Sequence, residues 1–153
     1  MKTFEDILEL SKQYLEAHAK QTTRFKAWQE VLPTIKKTLD TICNLLIANN
    51  GYFKNNLYVI QQLAEGDVYI KSGSMLVPIS NNGSENGFQI HFSQLSNGKA
   101  LVYAFGHSIT TTPTQINIEI IDDPTVLTEQ KIIELVFQGL NAVLRTSYMF
   151  IGD

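Results

Sequence analysis

An α+β fold is predicted for this sequence by three observations. Residues 3–48 carry apolar side chains at helical spacing, residues 57–121 carry short alternating runs broken by Gly- and Asn-containing turns, and residues 128–149 return to a helical period. The expected architecture is two N-terminal helices, an antiparallel meander of five or six strands, and a long C-terminal helix packed on the aromatic face of the sheet. All of it falls in a single α+β domain, residues 1–153, since no repeat or linker marks a boundary.

The first helix is expected at about 3–20. Thr3 is placed to cap it, and Phe4, Ile7, Leu8, Tyr14 and Leu15 recur at spacings of three, four and seven before the polar run HAKQTT. A second helix is expected at about 23–48. Phe25, Trp28, Leu32, Ile35, Leu39, Ile42 and Leu46 alternate spacings of three and four, which is a heptad seam. Pro33 removes a backbone donor and crowds the carbonyl of Gln29, so a kink is expected there; the seam keeps its phase across the proline, which favours one kinked helix over a break. Asn49-Asn50-Gly51 supplies a left-handed stop.

Strands follow. Leu57, Val59 and Leu63 alternate, although 57–64 also reads as a short helix, and Glu65-Gly66 turns the chain into Val68 and Ile70. Ser72-Gly73 turns it again toward a strand with Met75, Val77 and Ile79, and the apolar-free segment 80–87 is an exposed loop. Asn97-Gly98 then signals a hairpin. A two-residue turn there pairs Phe92 with Tyr103, Ile90 with Phe105 and Phe88 with His107 on an aromatic face directed at the core. Gln89, His91 and Ser93 would share the outer face with Ala100, Val102, Ala104 and Gly106, so His91 and His107 would point to opposite sides. After the SITTTPT loop, Ile116, Ile118 and Ile120 alternate inward with Asn117 and Glu119 outward. Thr128 or Thr125 caps the last helix, at about 128–149, whose Gly139 marks a close approach.

Composition bounds function. The 153 residues are 44% hydrophobic and 18% charged with a net charge of −3, the profile of a globular protein that needs no disulfide. Met1–Lys54 hold 8 basic and 6 acidic side chains, Asn55–Asp153 hold 4 and 9, and neither balance makes a nucleic-acid surface. No apolar h-region opens the chain and no run reaches membrane-spanning length, so no membrane association and a cytoplasmic location are expected. Cys43, alone and in an apolar helical setting, reads as an inert core thiol.

Catalytic signatures are wanting. CxxC, HExxH, GxSxG, P-loop and dinucleotide patterns are absent, no metal or other cofactor is implied, and Asp122-Asp123 before Pro124 read as turn residues. His18 reads as a solvent-facing residue near a helix end. The residues left for a site are those of the outer sheet face: Gln89, His91, Ser93, Val102, Ala104, Asn117 and Glu119. That face is either wet, covered by a helix, used by a protein partner, or a small-ligand surface. The function expected is a non-catalytic protein-interaction domain, a homodimer among its forms, motivated by the heptad seam from Phe25 to Leu46. The alternative is a small-molecule binder or enzyme, its ligand unidentified, using the helix–sheet groove or His91 with Glu119 as acid–base pair.

Overall fold

A computed structural model describes residues 1–62, 64–73, 87–107 and 114–146, with His107 described in its backbone only. The chain runs α1 (Phe4–Asn49), β1 (Leu57–Gln62), β2 (Asp67–Ser72), β3 (Gly87–Gln94), β4 (Ala100–His107), β5 (Ile116–Ile121) and α2 (Glu129–Thr146), with single 3-10 turns at Gly51–Phe53 and Pro124–Val126. The five strands form one antiparallel sheet in chain order. The expected strand through Met75, Val77 and Ile79, the 80–86 loop, residues 108–113 of the SITTTPT loop, the surroundings of the His107 side chain and the helix beyond Thr146 lie outside the described residues.

One helix replaces the two expected. Thr3 caps it as anticipated: its hydroxyl accepts from the Asp6 amide, and the Asp6 carboxylate accepts from the Thr3 amide at 2.8 Å. No break follows at HAKQTT, because that run contains neither glycine nor proline. The hydroxyls of Thr22 and Thr23, instead of capping a new helix, donate to the carbonyls of His18 and Ala19 at 3.0 Å, one turn back in the same helix. The helix also continues through Pro33, where Trp28, Leu32 and Ile35 on either side of the proline are all held in the core. It ends at Asn49 as expected, but on an extended Asn50 (φ −145°), not on a left-handed residue; Gly51 opens the following 3-10 turn.

The second half of the heptad seam packs inside the molecule. Trp28, Leu32, Ile35, Leu39 and Cys43 join Ile132, Leu135, Val136 and Val143 of α2 on one face of the sheet, against Val68, Ile70, Ile90, Phe92, Val102 and Ala104. The seam from Trp28 to Leu46 therefore packs on the core, Ile42 and Leu46 in part, while Phe25 at its start is 38% exposed. The Trp28 indole donates to the Glu65 carbonyl at 3.0 Å, tying α1 to the β1–β2 turn, where Ala64 and Glu65 take positive φ.

The β3–β4 hairpin differs from expectation by one residue, and the difference reverses its faces. Leu95 and Lys99 close a three-residue loop, Ser96-Asn97-Gly98: the Leu95 amide donates to the Lys99 carbonyl at 2.8 Å and the Gly98 amide to the Leu95 carbonyl at 2.9 Å. Gly98 sits at φ +84°, the left-handed position that follows a tight turn in such loops. The register becomes Ile90↔Ala104, His91↔Tyr103 and Phe92↔Val102. The small residues Ala100, Val102 and Ala104 thus lie with Ile90 and Phe92 under the helices, and Tyr103 and Phe105 join His91 on the opposite face. Contrary to the sequence-based expectation, α2 covers the aliphatic face and not the aromatic one. Gly139 is the close approach that was anticipated: a Cβ there would lie 3.2 Å from three carbons of Ile90.

A register shift between Val102 and Tyr103 alters β5 as well. Past it Glu119 pairs with Val102 on the helix-covered side and reaches Lys131 of α2 at 3.1 Å, while Ile120 is 59% exposed and Ile121 buried. Strict alternation therefore holds for Ile116 to Ile118 and fails beyond. Thr128 caps α2, accepting from the Lys131 amide at 3.2 Å, and Asp123 caps the preceding 3-10 turn.

Candidate functional site

Two features stand outside the packing of the core. The first lies on the sheet face turned away from the helices. Asp67, Tyr69 and Lys71 alternate along β2 with the core residues Val68 and Ile70, and pairing sets them beside Ser93, His91 and Gln89 of β3. His91 is enclosed there, 6% exposed. Its Nδ1 lies 3.0 and 3.1 Å from the two carboxylate oxygens of Asp67, its Nε2 lies 2.8 Å from Gln89 Oε1, and the Ser93 hydroxyl donates to Asp67 Oδ1 at 2.8 Å. Tyr69 and Tyr103 stack on either side of the imidazole, with centroids at 4.1 and 4.6 Å, and Phe105 follows at 5.6 Å.

The residue types are those of an acid–base–nucleophile set, but the connectivity is not. A nucleophilic serine needs its hydroxyl on the free ring nitrogen, with the carboxylate behind the other. Here Ser93 bonds to the carboxylate, Nε2 is engaged by Gln89, and stacked rings close both faces of the imidazole. The cluster is a satisfied polar network that holds three strands in register. Its setting shifts the neighbouring phenols. Burial raises the Tyr69 hydroxyl above its ordinary range, with the Asp67 charge adding to it; burial does the same to Tyr103, partly offset by a hydrogen bond with Ser93.

The candidate site residues divide between the two faces. Gln89, His91 and Ser93 come together on the aromatic face; Val102 and Ala104 are in the core beneath the helices. Asn117 is exposed beside Tyr103, accepting from Gln115 at 2.7 Å. Glu119 belongs to the opposite face, paired with Lys131, so His91 and Glu119 have the sheet between them and form no acid–base pair. Asp67, Tyr69, Tyr103 and Phe105, which complete the cluster, were not singled out from sequence. For Asp67 and Tyr69 the signal was the alternation of DVYIK. The register against β3 depends on the connection through 74–86 and could not be read off it.

The second feature is the N-terminal third of α1. No residue from Met1 to Lys20 is buried. Phe4, Ile7, Leu8, Leu10, Tyr14 and Leu15 are 62–84% exposed, while Glu5, Asp6, Glu9, Lys12, Glu16 and Lys20 occupy the other side of the helix. The arm's base is anchored at Gln21–Phe25. A Cβ on Gly98 would lie 2.6 Å from Arg24 Cβ and 3.1 Å from the Gln21 carbonyl, and Arg24 donates to the Asn97 carbonyl at 3.4 Å. The apolar positions of the arm were assigned to a helix from sequence, but their exposure follows only from that helix running on past Lys20.

Among the described residues no group of three or more His, Cys, Asp or Glu side chains could hold a metal ion, and no helix is long and apolar enough to cross a membrane. Comparisons of the chain with protein-family models, with curated proteins and with solved structures found no match.

Proposed function

We propose that this chain is a non-catalytic protein-interaction module whose docking element is the arm Phe4–Lys20 of α1. The observation that carries the proposal is the exposure of six large apolar side chains on a helix segment in which no residue from Met1 to Lys20 is buried. Helical stability in proteins comes mainly from packing of an amphipathic face, and the arm's face has no buried residue. A helix with a continuous apolar face gains its stability from whatever covers that face. The module divides its labour along one helix: residues from Gln21 onward hold the body together and the residues before them project a binding surface. The network around His91 supports the non-catalytic reading, because the imidazole, the Asp67 carboxyl group and the Ser93 hydroxyl are engaged with one another and with Gln89.

A thermal-shift screen against a broad metabolite panel tests the reading against the small-molecule alternative. No compound class is expected to raise the melting temperature; a saturable rise for one class would overturn it. The double substitution Leu8→Glu/Leu15→Glu tests the arm itself. Since Leu8 and Leu15 are 62 and 63% exposed, the body should stay folded by far-UV circular dichroism while association through the arm, and the stability that it adds, is lost.

A further inference from the structure

We infer that the partner of the arm is the arm of a second copy of this chain, the two lying antiparallel and crossing at Ser11. The inference rests on the arm being the docking element, and adds to it the identity and orientation of the occupant.

Area comes first. The six exposed apolar side chains present on the order of 800 Å² per arm, an upper bound on what a covering helix buries and of the size that a standard stable interface takes from each partner. The surface is also broad. Phe4, Ile7, Ser11, Tyr14 and His18 follow one heptad line, while Leu8, Leu15, Leu10 and Ala17 widen it on both sides. A helix with so wide an apolar stripe is suited to being covered by another helix.

Charge decides the orientation. The tip of the arm is acidic, with Glu5, Asp6 and Glu9 and no basic residue among positions 4–11; from residue 12 through the base the order is Lys12, Glu16, Lys20, Arg24 and Lys26. A parallel pair would set acidic tip against acidic tip. An antiparallel pair centred on Ser11 sets Glu9 within one position of the other chain's Lys12 and Glu5 within one turn of its Lys20, with Asp6 opposite Glu16 and Lys2 opposite Lys20, where a parallel pair would set every charge against its own copy; it also opposes the two helix dipoles.

Length agrees with the charge. Phe4 to Lys20 spans about 25 Å at 1.5 Å per residue. The body begins at Gln21, whose carbonyl meets the β3–β4 turn. An arm laid antiparallel along its twin with Ser11 opposite Ser11 therefore places Phe4 opposite His18, Ile7 opposite Leu15 and Leu8 opposite Tyr14. Each tip ends where the other body starts. The one small polar side chain within the stripe lies on the two-fold axis, where the helices cross most closely.

A membrane surface fits less well. The polar side of the arm with Lys2 carries four acidic and three basic residues, whereas helices that lie on anionic lipid bear a basic polar face.

Sedimentation equilibrium of the full chain from low micromolar to submillimolar concentration should report a dimer of the 17.2 kDa chain, and Leu8→Glu/Leu15→Glu should raise its dissociation constant about a hundredfold or more. Under mild oxidation Ser11→Cys should form a disulfide-linked dimer. Ile7→Cys and Leu15→Cys should link when mixed and not when each is alone; the wild-type chain, its Cys43 buried, should not link. A monomer throughout the range overturns the second copy and leaves the module reading to its metabolite screen. A dimer untouched by Leu8→Glu/Leu15→Glu overturns the arm as docking element as well. A dimer that needs the arm but links through Ile7→Cys alone overturns the antiparallel order. Partition of the chain onto anionic vesicles in place of dimerisation overturns the inference in favour of lipid.

Discussion

The Asp67–His91 pair allows a double-mutant cycle whose outcome follows from its surroundings. The two side chains are 7 and 8% exposed, so whichever partner remains after one is removed has no solvent to turn to. His91→Phe keeps an aromatic ring between Tyr69 and Tyr103 but leaves the buried Asp67 carboxyl group with the Ser93 hydroxyl alone, and should cost about 1–3 kcal/mol, as a buried acceptor left short of a partner does. Asp67→Leu strands the buried His91 ring nitrogen, at about 1–3 kcal/mol, and leaves the part-exposed Ser93 hydroxyl to water. The double variant strands only Ser93 and Gln89, which lie in part-exposed positions with water in reach. Its cost should fall below the sum of the singles by about 2–3 kcal/mol. Urea unfolding followed by far-UV circular dichroism, with unchanged m-values, measures all four corners of the cycle. Additivity within about 0.5 kcal/mol would mean that the pair does not act as a unit, and would refute the account of the cluster as a register-holding network.

Other substitutions probe the packing around it. Ala104→Glu places a carboxylate at a fully buried position under the helices and should cost several kcal/mol in the same assay, whereas Ser96→Glu in the exposed turn should stay within about 0.5 kcal/mol; equal effects would contradict the three-residue hairpin register. Gly98→Ala combines a left-handed backbone with a Cβ 2.6 Å from Arg24 Cβ, so it should lose about 2–4 kcal/mol and loosen the base of the arm, seen as faster hydrogen exchange at 18–25; Gly51→Ala, where a Cβ meets nothing, is the control. The Cys43 thiol is pushed up by burial and by the Asp40 charge, so near pH 9 the native chain should alkylate far more slowly than the urea-unfolded one. Its neutral form is the one the native state favours. That contribution to stability is fully present below the unfolded-state value and is lost as pH rises through the raised native value, a loss that Cys43→Ala should remove.

Local signals in the sequence determined the elements. Thr3 and Asp6 specify a capping box within four residues, Thr128 caps α2 three residues before Lys131, and the alternation of Val68 and Ile70, like that of Ile90 and Phe92, marks strand faces without reference to any partner. The close approach at Gly139 was legible too, because a glycine inside an apolar helix costs stability unless something packs against it. What only the tertiary structure decided is how those elements face one another. Asn97-Gly98 fits a two-residue turn or the end of a three-residue one. The choice fell to the second because it puts Ile90, Phe92, Val102 and Ala104 together under the helices, while Gly98 has no Cβ to meet Arg24. One residue of register moved Tyr103 and Phe105 from the expected core to the side of His91, and a shift in β5 sent Glu119 to Lys131. Helix continuity through HAKQTT was likewise settled beyond the local pattern, since Thr22 and Thr23 serve as well bonded back to their own helix as capping a new one. Side-chain period and capping act over a few residues and can be read along the chain. Register and exposure are set by contacts between residues such as Gly98 and Arg24, or Asp67 and His91, that only folding brings together.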